Sequence, residues 1–195
     1  MSAPNPSFVT PREYLELERK SEIRSEYIAG RIFVMSGASR RHNLIAVNLS
    51  REVSSQLRGK PCEAYVSDMR VKVAPTGMYT YPDIVAVCGE PRFEDAQVDT
   101  LLNPTIIVEV LSESTEAYDR GEKFAHYRRL ETLREYVLVA QDKVRIEHYR
   151  RREGEEWVLS EVSDPASTLH LPSIDCHVGV GAIYEKVEFE PVGEG

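Results

Sequence analysis

The sequence predicts an α/β or α+β fold, a β-sheet with helices packed on it, and three observations carry that expectation. Ile45, Leu49, Val53 and Leu57 recur every four residues, which places them on one face of a helix. Residues 106–111 and 136–140 are short and almost wholly apolar, as strands covered on both faces are. Residues 144–149 alternate between apolar and polar, as a strand with one wet face does. The chain order of helix, hairpin, helix, strands, helix, strand and antiparallel meander describes such a sheet with flanking helices.

The elements can be justified in turn. Thr10-Pro11-Arg12-Glu13 is a capping box with proline at the first helical position, and a short helix to about Lys20 follows. Tyr27-Ile28 and residues 32–35 flank Ala29-Gly30, so two strands joined by a tight turn are expected. From Ser39 the period changes to that of a helix, with Leu44 and Val47 broadening the stripe, and Gly59 marks its end. Beyond Pro61, Tyr65-Val66 and Val71-Lys72-Val73 read as two strands or one bent strand. Residues 81–87 read as another strand with Pro82 at its start or edge. Residues 88–104 are polar and read as a loop. Residues 106–111 are apolar except for Glu109 and should be a central strand. Ser112 to Thr115 supply a helix cap, and a helix of about four turns is expected over residues 118–130. Residues 136–140, 144–149 and 157–162 form the meander. Residues 169–171, a short helix around 182–184 and a polar tail complete the chain.

No repeat or low-complexity segment divides the 195 residues, so the reading is one domain over 1–195 with an acidic portion from about 154. Apolar residues are 42% and charged residues 29%, which excludes a disordered chain. No apolar run of about 18 residues exists, and residues 1–11 lack the basic flank and apolar stretch of a signal peptide, so a cytoplasmic protein is expected. Cys62, Cys88 and Cys176 are odd in number and far apart; neither a disulfide framework nor a CxxC zinc site is expected, and each reads as a small buried residue. Phosphate-binding and dinucleotide-binding glycine loops are absent, and Ser36-Gly37-Ala38-Ser39 is not a nucleophile elbow.

The chemistry-bearing feature is a pair of carboxylates in apolar surroundings. Asp83 opens the stretch Ile84-Val85-Ala86-Val87, and Glu109 lies inside residues 106–111. A buried, unpaired carboxylate costs several kcal/mol, so each needs a cation, hydrogen bonds or a shifted pKa. Their separation of 26 residues suffices for a crossing loop that makes the two strands neighbours. Two such carboxylates close in space repel unless a cation lies between them, and hard oxygen ligands favour Mg2+ or Mn2+. The structural alternative is that Glu109 pairs with an arginine and Asp83 caps a turn after Pro82. Three further candidates are His42, at the start of the long helix, Asp68, in a turn, and Glu26, beside the first hairpin; each reads equally as a site residue or as a structural one.

Tyr81-Pro82-Asp83, the stretch from Val108 to Thr115 and the stretch from Asp119 to Tyr127 resemble the Uma family of restriction-endonuclease-like proteins, within the PD-(D/E)xK nuclease superfamily. The resemblance extends from Tyr14-Leu15 through Gly30, Arg41-His42-Asn43, Ser67-Asp68-Met69 and Arg134-Glu135-Tyr136 to Glu147-His148-Tyr149. It implies a mixed sheet flanked by helices and a DNA endonuclease that activates water with Mg2+ or Mn2+. It maps Asp83 and Glu109 onto the metal-ligating carboxylates, with the backbone carbonyl of Val110 as a further ligand. The departure is Leu111, which stands where the E-x-K lysine belongs. Lys123, 14 residues after Glu109, can take that role from the following helix, orienting water and offsetting transition-state charge. The missing lysine leaves open a catalytically inactive nuclease-fold module that binds nucleic acid or a protein partner. A homodimer is expected because cutting both strands of a duplex needs two sites.

The formal net charge of −8 argues at first against a DNA partner. Residues 154–195 carry the whole excess, with nine acids and only Lys186 as a base, while residues 1–153 hold 23 of each sign. Clusters at Arg40-Arg41, Arg128-Arg129 and residues 150–152 could face phosphate. Weak, strongly salt-sensitive DNA binding follows.

Overall fold

Two sheets and a long helix place the candidate residues, and each follows from its local sequence. The computed structural model describes residues 8–190; the ends of the N-terminal and acidic-tail readings lie outside the described residues. Helix α1 (Pro11–Glu18) starts on the capping box, with Thr10 and Glu13 bonding reciprocally. Strands β1 (Ser25–Ile28) and β2 (Arg31–Val34) pair across a two-residue turn in which Ala29 and Gly30 both take positive φ. Gly30 is required there for a second reason: a Cβ would sit 2.3 Å from the Phe8 ring. Helix α2 (Arg40–Gln56) is capped by Ser39, whose side chain accepts from the His42 backbone N–H.

A six-stranded mixed sheet forms the centre. It contains β3 (Cys62–Val66), β6 (Ile84–Cys88), β8 (Ile106–Leu111), β9 (Glu135–Ala140), β10 (Ile146–Arg151) and β11 (Trp157–Val162), in the order β11-β10-β9-β8-β6-β3. Only β8 and β9 run parallel in it. The second sheet, β2-β1-β5-β4-β7, adds β4 (Arg70–Val73), β5 (Met78–Thr80) and β7 (Thr100–Leu101).

Every residue of β8 is buried, as a central strand requires. One face of the six-stranded sheet shows Ile84, Ala86, Ile106, Val108, Val110, Val137 and Val139 to the apolar stripe of α2. The same core is closed by β12 (Thr168–Leu171), β13 (Cys176–Gly179) and the short helix α5 (Val180–Ile183). The opposite face, with Val85, Val87, Ile107, Leu111 and Leu138, packs on Val71, Val73, Met78 and Leu101 of the second sheet and on Tyr127 and Leu130. Glu109 belongs to this second face, between the sheet and the helical segment that follows it.

Several expectations are corrected. The strand expected over 81–87 begins only at Ile84, as β6; at Tyr81-Pro82-Asp83 the chain crosses to it from β5 in the other sheet, and proline there has no N–H to give a ladder. The expected loop 88–104 contains β7, a two-residue strand too short to show a period. The four-turn helix is shorter and broken in character: α3 (Glu116–Tyr118), a π-helical turn Asp119–Lys123 and α4 (Phe124–Tyr127). Beyond Tyr127, Arg151 turns inward and donates to the carbonyls of Leu130 and Glu131, at 2.9 and 3.2 Å, so that arginine holds the chain rather than facing phosphate. Strand β13 was not foreseen. The cysteine reading is overturned for two of the three. Cys62 and Cys88 stand directly opposite on β3 and β6 and form a disulfide, while Cys176 is free and buried as expected.

Candidate active site

The parallel pair β8–β9 and the start of β6 meet at one end of the central sheet, and the candidate residues collect there. The antiparallel register of β6 and β8 pairs Ile84 with Val108, so Asp83 and Glu109 take the next facing positions. The 26-residue separation is thus spanned by an antiparallel return with β7 inside it. Asp83 is tied on both oxygens: Oδ1 accepts from His42 Nε2 at 2.8 Å and Oδ2 from the Val110 backbone N–H at 2.7 Å. His42 reaches it because Ser39 caps α2 and bonds Gln141, one residue beyond β9, fixing the helix start over the sheet's end. His42 and Asp83 keep only a sixth of their side-chain surface in solvent.

Beside this pair lies a buried lysine among carboxylates. Lys123 Nζ is 2.9 Å from Glu109 Oε1, 3.1 Å from Glu26 Oε1 and 3.5 Å from Asp119 Oδ1. The π-helical turn places Asp119 and Lys123 on one side, both buried, with Gly121 between them. Glu26 enters from β1, and the Thr80 hydroxyl donates to it. The Tyr127 hydroxyl donates to Glu109 Oε1 at 2.8 Å and lies 3.2 Å from the Thr80 hydroxyl.

The electrostatics follow from burial and crowding. Glu109 is pushed up to about 8, first because burial disfavours its charge and then through Asp119, Asp83 and Glu26, with Lys123 pulling the other way. Burial alone would lower Lys123, but Glu109, Glu26 and Asp119 outweigh it and hold the ammonium charged. Tyr127 is raised by burial and by Glu109, so its hydroxyl remains a donor.

The structure therefore brings Glu26, Glu109 and Lys123 into contact and sets Asp83, His42 and Val110 immediately alongside. Asp68 is apart: it is exposed and its partner is Arg24 at 3.4 Å. What Val110 contributes to this arrangement is its N–H. Asp119, Tyr127 and Thr80 were missed as site residues. The four-residue spacing of Asp119 and Lys123 was a signal for the first; nothing local marks Thr80, which reaches the site from the other sheet. Among the described residues, no group of three or more His, Cys, Asp or Glu side chains is arranged around a common metal position. The donor chemistry is nevertheless that of a hard cation: three carboxylates contact one lysine, Asp83 takes the next facing position, and burial together with these neighbours raises Glu109.

Comparison with known proteins gives three findings. A family model described as Uma2, "putative restriction endonuclease", matches residues 11–178. Two uncharacterized proteins of Synechocystis sp. PCC 6803 are similar in sequence. One, sll1609, is 38% identical over 79% of this chain and 87% of its own length. The other, slr1290, is 36% identical over 96% of this chain and 97% of its own. The crystal structure of a protein from Anabaena variabilis, described as a putative nuclease belonging to DUF820, superimposes with a TM-score of 0.72. It covers 90% of this chain and 97% of its own at 18% identity, a likeness of fold.

Proposed function

Because this chain belongs to the Uma2 family, described as putative restriction endonucleases, we propose that it is a metal-dependent endonuclease hydrolysing DNA phosphodiester bonds at the Asp83–Glu109–Lys123 cluster. The observation that carries this reading is Lys123, which reaches Glu109 from the following helix although Leu111 occupies the usual lysine position.

Each residue has a task in that reaction. Asp83 and Glu109 are the residues that would hold Mg2+ or Mn2+. Such an ion lowers the pKa of bound water and offsets charge on the phosphoryl oxygens. His42 and the Val110 N–H hold both oxygens of Asp83, so its orientation is set before substrate arrives. Tyr127 holds Glu109 in the same way. Lys123 supplies a fixed positive charge beside Glu109, aimed at the attacking water or at a non-bridging phosphate oxygen; in a buried site such a charge is worth about 10²–10³ in rate. Glu26 and Asp119 keep that lysine protonated and placed. The protein acts as a cytoplasmic homodimer in this proposal, with one site for each strand of the duplex.

Titration calorimetry with Mn2+ on the wild type and on Asp83→Ala, followed by plasmid nicking, tests it. The wild type binds the ion and nicks; Asp83→Ala binds far more weakly and does not; Lys123→Arg nicks at least tenfold more slowly. Equal Mn2+ binding by wild type and Asp83→Ala removes the metal site. Absence of nicking by a wild type that binds both ion and DNA turns the reading to a non-catalytic nuclease-fold module.

A further inference from the structure

We infer that the exposed stretch from Arg31 to Arg40 is a seat for a single unpaired DNA base, with Phe33 as the stacking surface beside the carboxylate–lysine cluster; this deepens the nuclease reading and rests on it. Strand β2 is the outer edge of its sheet, and all four of its residues are exposed. Its composition is unusual for an open edge, which soluble proteins ordinarily blunt with charge. Ile32, Phe33, Val34 and Met35 are consecutive, apolar and exposed, with Phe33 at 46%.

Register decides which of these residues face the site. Phe33 is directly opposite Glu26, and facing residues of an antiparallel pair share one side of the sheet. Glu26 touches Lys123. Arg31 is opposite Ile28 and lies on the same side, with its guanidinium 5.9 Å from the Phe33 ring centroid. Ile32 and Val34 face the other way, opposite Tyr27 and Ser25. Phe33 is therefore one strand away from a residue in contact with the proposed catalytic lysine, about the 5 Å spacing of neighbouring strands.

The segment that follows returns to the same place. Every residue from 31 to 40 is exposed, and α2 then brings His42 to Asp83. The rim thus begins at Glu26 and ends at His42, with the site between. Among the described residues, neither Arg31 nor Arg40 takes part in an ion pair. An exposed aromatic ring with the free Arg31 guanidinium beside it matches a nucleotide, whose base offers a π-face and whose phosphate offers charge. An intact duplex keeps its bases stacked on each other and has no face to give Phe33. The geometry therefore selects single-stranded or frayed DNA.

The test measures fluorescence anisotropy of a labelled oligothymidylate and of a blunt duplex of equal length, in EDTA so that nothing is cut, on wild type, Phe33→Ala and Phe33→Tyr. The wild type should bind the single strand more tightly than the duplex. Phe33→Ala should lose roughly tenfold on the single strand, within the range found for one base stacked on an aromatic ring, and less than twofold on the duplex. Phe33→Tyr should restore the difference. Unchanged single-strand affinity in Phe33→Ala, with nicking intact in the wild type, overturns this inference and leaves the nuclease reading standing. Loss of a dimer by light scattering in Phe33→Ala, without loss of single-strand affinity, also overturns it and assigns the edge to a second copy of the chain. A wild type that binds neither DNA overturns both readings.

Discussion

Glu109 shows how one residue can be costly to the fold and useful to the site. Its folded pKa of about 8 stands above the ordinary glutamate value of 4.5. Between those values the unfolded chain releases a proton that the folded protein keeps, so this residue's contribution to stability falls as pH rises from about 4.5 to about 8. Glu109→Gln cannot ionise and removes that slope. The variant should be more stable than wild type at pH 8, by on the order of a few kcal/mol, and so melt higher there, and the difference should vanish near pH 4.5. Thermal melts across pH 4.5–8 check this; a difference independent of pH would show that Glu109 ionises normally. Lys123 has the opposite sign. Its removal in Lys123→Met leaves the buried Glu109 and Asp119 and the half-buried Glu26 without their cation, at roughly 3–5 kcal/mol near neutrality. Glu109, raised to about 8, and Asp119, raised by burial, take up protons as pH falls, so the loss should be smaller in acid, which chemical denaturation at pH 4 and pH 7 will measure.

At the scale of elements, the disulfide is the clearest consequence of a pairing that local sequence does not show. Strand β3 is an edge of the central sheet, held on one side only by β6 and covalently by Cys62–Cys88. Closing a loop of this length in the unfolded chain is worth about 3 kcal/mol. Reduction, or Cys62→Ser with Cys88→Ser, should lower Tm by about 5–10 °C, read by calorimetry with and without a reductant. Because β6 keeps β8 as its other neighbour, Asp83 should stay in place and Mn2+ binding should persist in the reduced protein. The elements that were legible in the sequence are those whose own residues specify them. The Thr10 capping box, the Ala29-Gly30 turn, the stripe of α2 and the doubly apolar β8 and β9 each read correctly from a few neighbours. Those that failed depend on a distant partner: β7 exists because Arg70-Val71 lies beside it, Cys62 finds Cys88 through strand register, and Arg151 binds the carbonyls of the segment just beyond helix α4. The site divides in the same way. Asp83 and Glu109 stood out because a carboxylate inside an apolar run needs an explanation, whereas Thr80 and Tyr127 carry no such local contradiction and acquire their contacts only through packing.

On the scale of the whole molecule, charge segregation along the chain becomes contact in space. The acidic end does not hang apart from the basic helix: Glu190 pairs with Arg41 at 2.8 Å and Glu185 with Arg51 at 3.1 Å, both on α2. Asn48, between them on the helix, holds the carbonyls of Ile183 and Glu185 and fixes this segment in place. Two arginines of α2, one of them next to His42, are therefore occupied by the chain's own carboxylates. Glu190 is 84% exposed at its side chain, so its ion pair adds about 0–1 kcal/mol to stability and can be removed without harm to the fold. For a DNA phosphate the same carboxylate is a competitor for Arg41 and a source of repulsion. Glu190→Gln should lower Tm by at most about 4 °C and raise DNA affinity several-fold at 50 mM salt. The gain should fade towards 0.5 M, where exposed charges more than a few ångströms apart are screened. The slope of log affinity against log salt should steepen by about 1, the signature of one more phosphate contact. Anisotropy titrations at several salt concentrations decide the matter: an unchanged slope would mean that Arg41 stays outside the DNA path, and that the acidic end offsets the charge of α2 for solubility alone.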